Sequence, residues 1–73
     1  MILGVTLTIE LDREEDGRWI AEVRELPGVL AYGESGDRAV AVVEALAFRV
    51  LAEQLEQGEL EPITEPVRFN RVA

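Results

Sequence analysis

Residues 24–35 read RELPGVLAYGES and decide the fold, because a corner, a short strand and a helix start follow one another within them. Leu26-Pro27-Gly28 interrupts strand pairing, since proline lacks the backbone donor and glycine permits a sharp change of direction. Residues 29–32 have the apolar character of a short strand, which Gly33 closes. Ser35 is a suitable N-cap for a helix that follows it.

The residues before this stretch predict an antiparallel hairpin. Residues 5–12 alternate apolar and polar side chains without an error, and residues 19–23 continue the alternation. Asp16-Gly17, between the two runs, is a strong turn signal. The apolar side chains expected to face the core from the first strand are those of Val5, Leu7, Ile9 and Leu11.

The residues after this stretch predict one long helix and a last strand. Residues 37–57 contain no glycine or proline, and Gly58 supplies a helix stop. Residues 67–72 then alternate again. The sequence thus predicts one α+β domain over residues 1–73, in the order βββαβ: a three-stranded antiparallel sheet, one long helix packed on it and a short C-terminal strand.

The predicted helix has more apolar surface than a single sheet needs. One stripe should lie on the sheet and consists of Ala39, Val40, Val43, Leu46, Ala47, Val50 and Leu51. A second group lies on a different side and is here called the second helical face: Ala41, Ala45, Phe48, Ala52 and Leu55. Either its alanines are simply good helix formers while Phe48 tucks into the edge of the core, or the face contacts another subunit or protein. Contact with another subunit or protein is favoured, because so small a domain does not easily leave an apolar stripe exposed to water.

Composition and charge restrict the functions that are open to the chain. A hydrophobic share of 48% suffices for a core, but without cysteine no disulfide can reinforce it, so a homodimer or higher homo-oligomer is expected. The net charge of −8 argues against direct nucleic-acid binding. It suits a basic protein partner, although solubility alone also explains it. A candidate partner-facing tract of acids lies at the helix end: Glu53, Glu56, Glu59 and Glu61.

The side chains offer little material for catalysis or for cofactor binding. There is no His or Cys, and the lone serine, Ser35, is better used as a cap. Acids of the hairpin loop, residues 12–16, could hold a hard cation weakly, but a solvated run of charge is the favoured interpretation. We therefore predict a protein without enzymatic activity, metal or cofactor. No signal pattern and no apolar run of about 20 residues is present, which predicts a cytoplasmic protein without a membrane segment. Low usage of Asn, Gln, Cys and Met, together with bases that are all arginine, points to a thermophilic or GC-rich source.

The chain resembles the HicB-like antitoxin family in a series of short motifs. These are DGRWIAEV at residues 16–23, ELPGV at residues 25–29, AYGES at residues 31–35 and the helix opening near Ala39. The resemblance extends over nearly the whole chain, and the combination of these motifs is fairly specific. The residues that carry the signature are Trp19, Leu26, Pro27, Gly28, Gly33 and Ser35.

The resemblance implies a partial ribonuclease-H-like domain that sequesters a HicA-type toxin, a small basic protein that cleaves messenger RNA. Such an antitoxin acts by covering the toxin and needs no catalytic group. Longer members of the family carry a C-terminal DNA-binding segment, whereas only Arg68 and Arg71 are basic in the residues after this helix. The alternative is a small homodimeric structural or regulatory domain without a toxin partner.

Overall fold

The computed structural model describes residues 4–72. Residues 1–3 and residue 73 lie outside the described part, and so does the start of the N-terminal stretch in which no signal pattern was found. Its elements follow the predicted βββαβ order and confirm an α+β domain. They are β1 (Val5–Arg13), β2 (Trp19–Val23), β3 (Leu30–Gly33), α1 (Gly36–Glu56) and β4 (Val67–Val72). Among the described residues, no helix combines the length and the apolar character that crossing a membrane requires.

The four strands form one mixed sheet in the order β3-β2-β1-β4. β1 pairs with β2 and β2 with β3 in antiparallel fashion, which confirms the predicted three-stranded antiparallel unit. β4 pairs with β1 in parallel, with Val5 opposite Val67. This pairing is possible because α1 serves as the long crossover that a parallel connection needs.

The core lies between one face of the sheet and α1. Leu7 and Ile9 on β1 are buried as predicted, whereas Val5 and Leu11 are half-buried because they lie towards the ends of the strand. The buried helical side chains are Ala39, Val40, Val43, Ala47 and Leu51, all from the predicted stripe. Leu46 and Val50 from the same stripe pack only at the border of the core.

The helix starts and ends within one residue of the predicted limits. The hydroxyl of Ser35 accepts a hydrogen bond from the backbone N–H of Arg38 at 3.1 Å, so Ser35 is the N-cap. Gln57 is the C-cap, and its N–H donates to the carbonyl of Glu53. Gly58 follows at the predicted stop.

Candidate interaction surfaces

The Leu-Pro-Gly corner is closed by backbone hydrogen bonds and anchored by one carboxylate. The N–H of Leu26 donates to the carbonyl of Val23, and the N–H of Val29 donates to that of Leu26. Gly28 has φ +87°, a conformation that favours glycine. The carboxylate of Glu25 accepts bonds from the N–H and the hydroxyl of Thr8, both at 2.7 Å. It thereby takes the place of a strand partner for β1 where β2 has ended.

These bonds also set the ionisation of Glu25. Partial burial works to raise the pKa of its carboxyl. The two hydrogen bonds from Thr8 favour the charged form and outweigh burial, so the pKa of Glu25 lies below its ordinary value of 4.5. The corner is therefore held more firmly when Glu25 is ionised.

Gly33 permits the closest approach between the sheet and the helix. A Cβ atom at this position would lie 2.5 Å from the backbone nitrogen of Ala39. No side chain fits into that distance. Trp19 is half-buried on the neighbouring strand, and the guanidinium of Arg13 lies 5.6 Å from its ring centroid. The signature residues thus form the corner, the helix start and the strand–helix contact, and they are structural.

The second helical face is exposed, with Phe48 on its side towards β4 and with Ala41 and Ala45 on its side towards Arg38 and Arg49. Phe48 is 52% exposed and Leu55 is 38% exposed, with the three alanines exposed between and beside them. The Phe48 ring meets the Phe69 ring of β4 edge-on, with a centroid distance of 5.5 Å. The ring of Phe48 thus touches the edge of the sheet and leaves half its surface open, and contact of this face with another subunit or protein stays a prediction.

The acidic tract does not form a single patch. Glu53, Glu56, Glu59 and Glu61 are all exposed, and within residues 4–72 none of them forms an ion pair. Glu56 and the two acids after it follow the end of α1 near Leu55. Glu53 instead lines a concavity of about 290 Å³ with Leu46 and Gly28, on the opposite flank of the helix.

A second set of acids lies on the sheet face that α1 does not cover. Glu10 and Glu22 are direct cross-strand neighbours, and Asp12 lines the same shallow concavity of about 260 Å³. Arg24 relieves the repulsion between the two glutamates by donating to Glu10 at 2.8 Å. In the described part of the chain, no group of three or more His, Cys, Asp or Glu side chains has an arrangement that could hold a metal. Strand alternation predicted that these side chains point away from the core. Their proximity depends on the pairing register of β1 and β2, which the sequence did not reveal.

In the hairpin loop, Asp16 and Arg18 interact with each other. The backbone N–H of Arg18 donates to the carboxylate of Asp16 at 3.0 Å and is the main reason that the pKa of Asp16 lies below its ordinary value. The guanidinium of Arg18 adds an ion pair with Asp16 at 2.8 Å. The carboxylate of Asp16 therefore has an arginine as its counter-ion.

The outer side of β3 was not among the surfaces predicted from the sequence. Leu30 is 38% exposed and Tyr32 is 44% exposed, both on the uncovered face at the rim of the sheet. The guanidinium of Arg18 stacks 4.4 Å from the Tyr32 ring centroid. Alternation of side chains within the short strand was the only signal in the sequence. It could not show that β3 lies at the edge of the sheet, without a second strand beside it.

No protein-family model, curated protein or solved structure was found to match the chain. The functional proposal therefore rests on the sequence motifs and on the surfaces described above.

Proposed function

We propose that this chain is a HicB-like antitoxin, a cytoplasmic protein that binds a small basic HicA-type toxin and blocks its cleavage of messenger RNA. In this proposal the βββαβ domain is the partial ribonuclease-H-like fold of that family, and the chain itself catalyses no reaction. The observation that carries the proposal is the exposure of the second helical face beside carboxylates that form no ion pair within residues 4–72.

The second helical face has the composition of a protein contact. Phe48 and Leu55 are large exposed apolar side chains, and aromatic anchors of this kind often dominate binding energy at interfaces. Ala41, Ala45 and Ala52 leave room for a partner to approach the helix closely. Contact with Phe69 fixes the Phe48 ring and reduces the conformational entropy that binding would cost.

The charges around this face favour a basic partner. Glu44 and Glu56 lie along α1 beside it, and Arg71 pairs with Asp37 at 3.5 Å. Arg38 and Arg49 border the face at Ala41 and Ala45, away from Phe48. A basic toxin would meet complementary charge near Phe48, which raises the association rate and disfavours wrong partners. A second copy of this acidic chain would bring like charges together on the same face.

The corner and the helix start give the proposal further support. Leu26-Pro27-Gly28 forms a hydrogen-bonded turn and Ser35 caps the helix, which are the roles that the family resemblance implies for these motifs. The element order is also the order that the resemblance implies. Because such roles are structural, they bear on the fold more than on the partner.

If a neighbouring reading frame encodes a small basic protein, as the proposal expects, co-expression with that protein tests the proposal. The wild-type chain should restore growth and bind that protein, whereas Phe48→Glu should weaken binding at least tenfold. Val72→Glu is the matched control, because Val72 is 42% exposed but lies at the far strand on the uncovered sheet face. Equal binding by both variants would contradict the assignment of the surface, and failure of the wild type to bind any such protein would contradict the function.

The alternative is a homodimeric structural or regulatory domain in which the second helical face contacts only itself. Light scattering separates the two possibilities, because Phe48→Glu would then halve the molar mass of the wild type. Under the antitoxin proposal, the molar mass of the free protein does not depend on Phe48.

A further inference from the structure

The β3 edge of the sheet has unused backbone hydrogen-bonding groups. The N–H of Val23 donates to the carbonyl of Val29 at 3.0 Å, so Val29, Ala31 and Gly33 are the residues that bond to β2. Leu30 and Tyr32 alternate with them. Their N–H and C=O groups therefore point away from β2, towards the open edge.

The side chains around this edge are apolar on both faces of the sheet. Leu30 and Tyr32 are exposed on the uncovered face. On the other face, α1 lies mainly over β3 and β2, and Val42, Leu46 and Val50 remain only partly buried on its flank. Two shallow concavities of about 290 and 260 Å³ share Leu46 and Arg49 along this flank. A strand that paired with this edge would point every second side chain towards Leu30 and Tyr32 on the uncovered face. Its remaining side chains would lie beneath the flank of α1.

The opposite edge of the sheet has a different character. β4 presents Arg68, Asn70 and Arg71 as exposed side chains, and Pro66 precedes it. Charged side chains and proline are the usual means by which proteins prevent pairing at an exposed strand. Among the described residues, the β3 edge (Leu30–Gly33) is therefore the one that has neither a charged side chain nor a proline along its strand.

The charges at the β3 edge identify the occupant as a second copy of this chain. The flank of α1 above this edge carries Arg38 towards the start of the helix and Glu53 towards its end, so its charges are complementary to those of an antiparallel copy. A two-fold axis through paired β3 strands places the two helices side by side and antiparallel. The Arg38 end of one helix then lies towards the Glu53 end of the other.

We propose that β3 pairs antiparallel with β3 of a second copy, so that two four-stranded sheets become one continuous eight-stranded sheet. This contact uses the flank of α1 that carries Leu46 and Val50. It leaves Phe48, Ala52 and Leu55 of the second helical face free, whereas Ala41 and Ala45 lie at the border of the contact. It goes beyond the proposed function and does not depend on the existence of a toxin.

Sedimentation equilibrium of four proteins tests the proposal: the wild type, Tyr32→Glu, Val72→Glu and Phe48→Glu. The three variants have the same net charge, and Tyr32 and Val72 are exposed to 44% and 42%. Tyr32→Glu should raise the dimer dissociation constant more than tenfold, whereas the other two variants should stay close to the wild type. A monomeric wild type at high micromolar concentration, or a dimer that persists in Tyr32→Glu, would overturn the proposal.

Amide hydrogen exchange in the wild type gives a second readout that needs no variant. In the dimer the N–H groups of Leu30 and Tyr32 form cross-chain bonds, so their exchange should slow as the protein concentration rises. Fast exchange of both amides at a concentration where the protein is dimeric would place the interface elsewhere and refute the pairing of β3.

Discussion

Replacing Gly33 by alanine tests whether β3 and α1 approach as closely as the fold requires. The added Cβ would lie 2.5 Å from the nitrogen and 2.9 Å from the Cα of Ala39, and 3.0 Å from the carbonyl carbon of Arg38. All three atoms belong to the helix backbone, which cannot rotate away as a flexible side chain can. Since the start of α1 or the strand must shift, we expect a loss of about 3 kcal/mol in the free energy of unfolding.

Gly28→Ala is the control for this experiment, because a Cβ there meets no atom within 4 Å while φ is +87°. Backbone strain alone should cost about 1 kcal/mol. Urea denaturation followed by circular dichroism measures both variants, and the melting temperature of Gly33→Ala should fall by roughly 10–20 °C. If Gly33→Ala stays within about 0.5 kcal/mol of the wild type, or is more stable than Gly28→Ala, the close strand–helix approach is wrong.

Two further predictions concern the helix start and the corner. Ser35→Ala should lower the free energy of unfolding by about 1 kcal/mol because the N–H of Arg38 loses its acceptor, and Ser35→Asp should retain most of it; equal loss in both would contradict the capping role. Because the pKa of Glu25 is held below 4.5 by the bonds from Thr8, its stabilising effect is complete above that value and is lost as the pH falls through its folded-state pKa. Urea titrations should therefore show that the wild type loses more stability than Glu25→Gln between about pH 5 and about pH 3, and parallel losses would refute this role.

The element order and much of the core could be predicted from the sequence because these depend on local patterns. Strict alternation predicted β1, and the absence of glycine and proline before Gly58 predicted the long helix. Ser35 was predicted as the N-cap because few residues can satisfy the first N–H groups of a helix. These signals act over a few residues and need no knowledge of distant neighbours.

Features that depend on distant contacts could not be predicted in the same way. The parallel partner of β4 follows from the helix crossover, and Phe69 becomes a neighbour of Phe48 only through that pairing. The sequence placed Glu53 with the other acids of its tract, whereas the packing of α1 puts it on the opposite flank. The exposure of Leu30 and Tyr32 likewise depends on the position of β3 at the rim of the sheet.

The central claim is that this chain acts by covering another protein and performs no chemistry of its own. An RNA-cleavage assay tests the claim most directly, with a small basic HicA-type toxin, messenger RNA and increasing amounts of the purified chain. We predict that the chain alone leaves the RNA intact and abolishes cleavage when it reaches equimolar amounts. Cleavage by the chain alone, or undiminished cleavage by the basic protein at a large excess of the chain, would contradict the account.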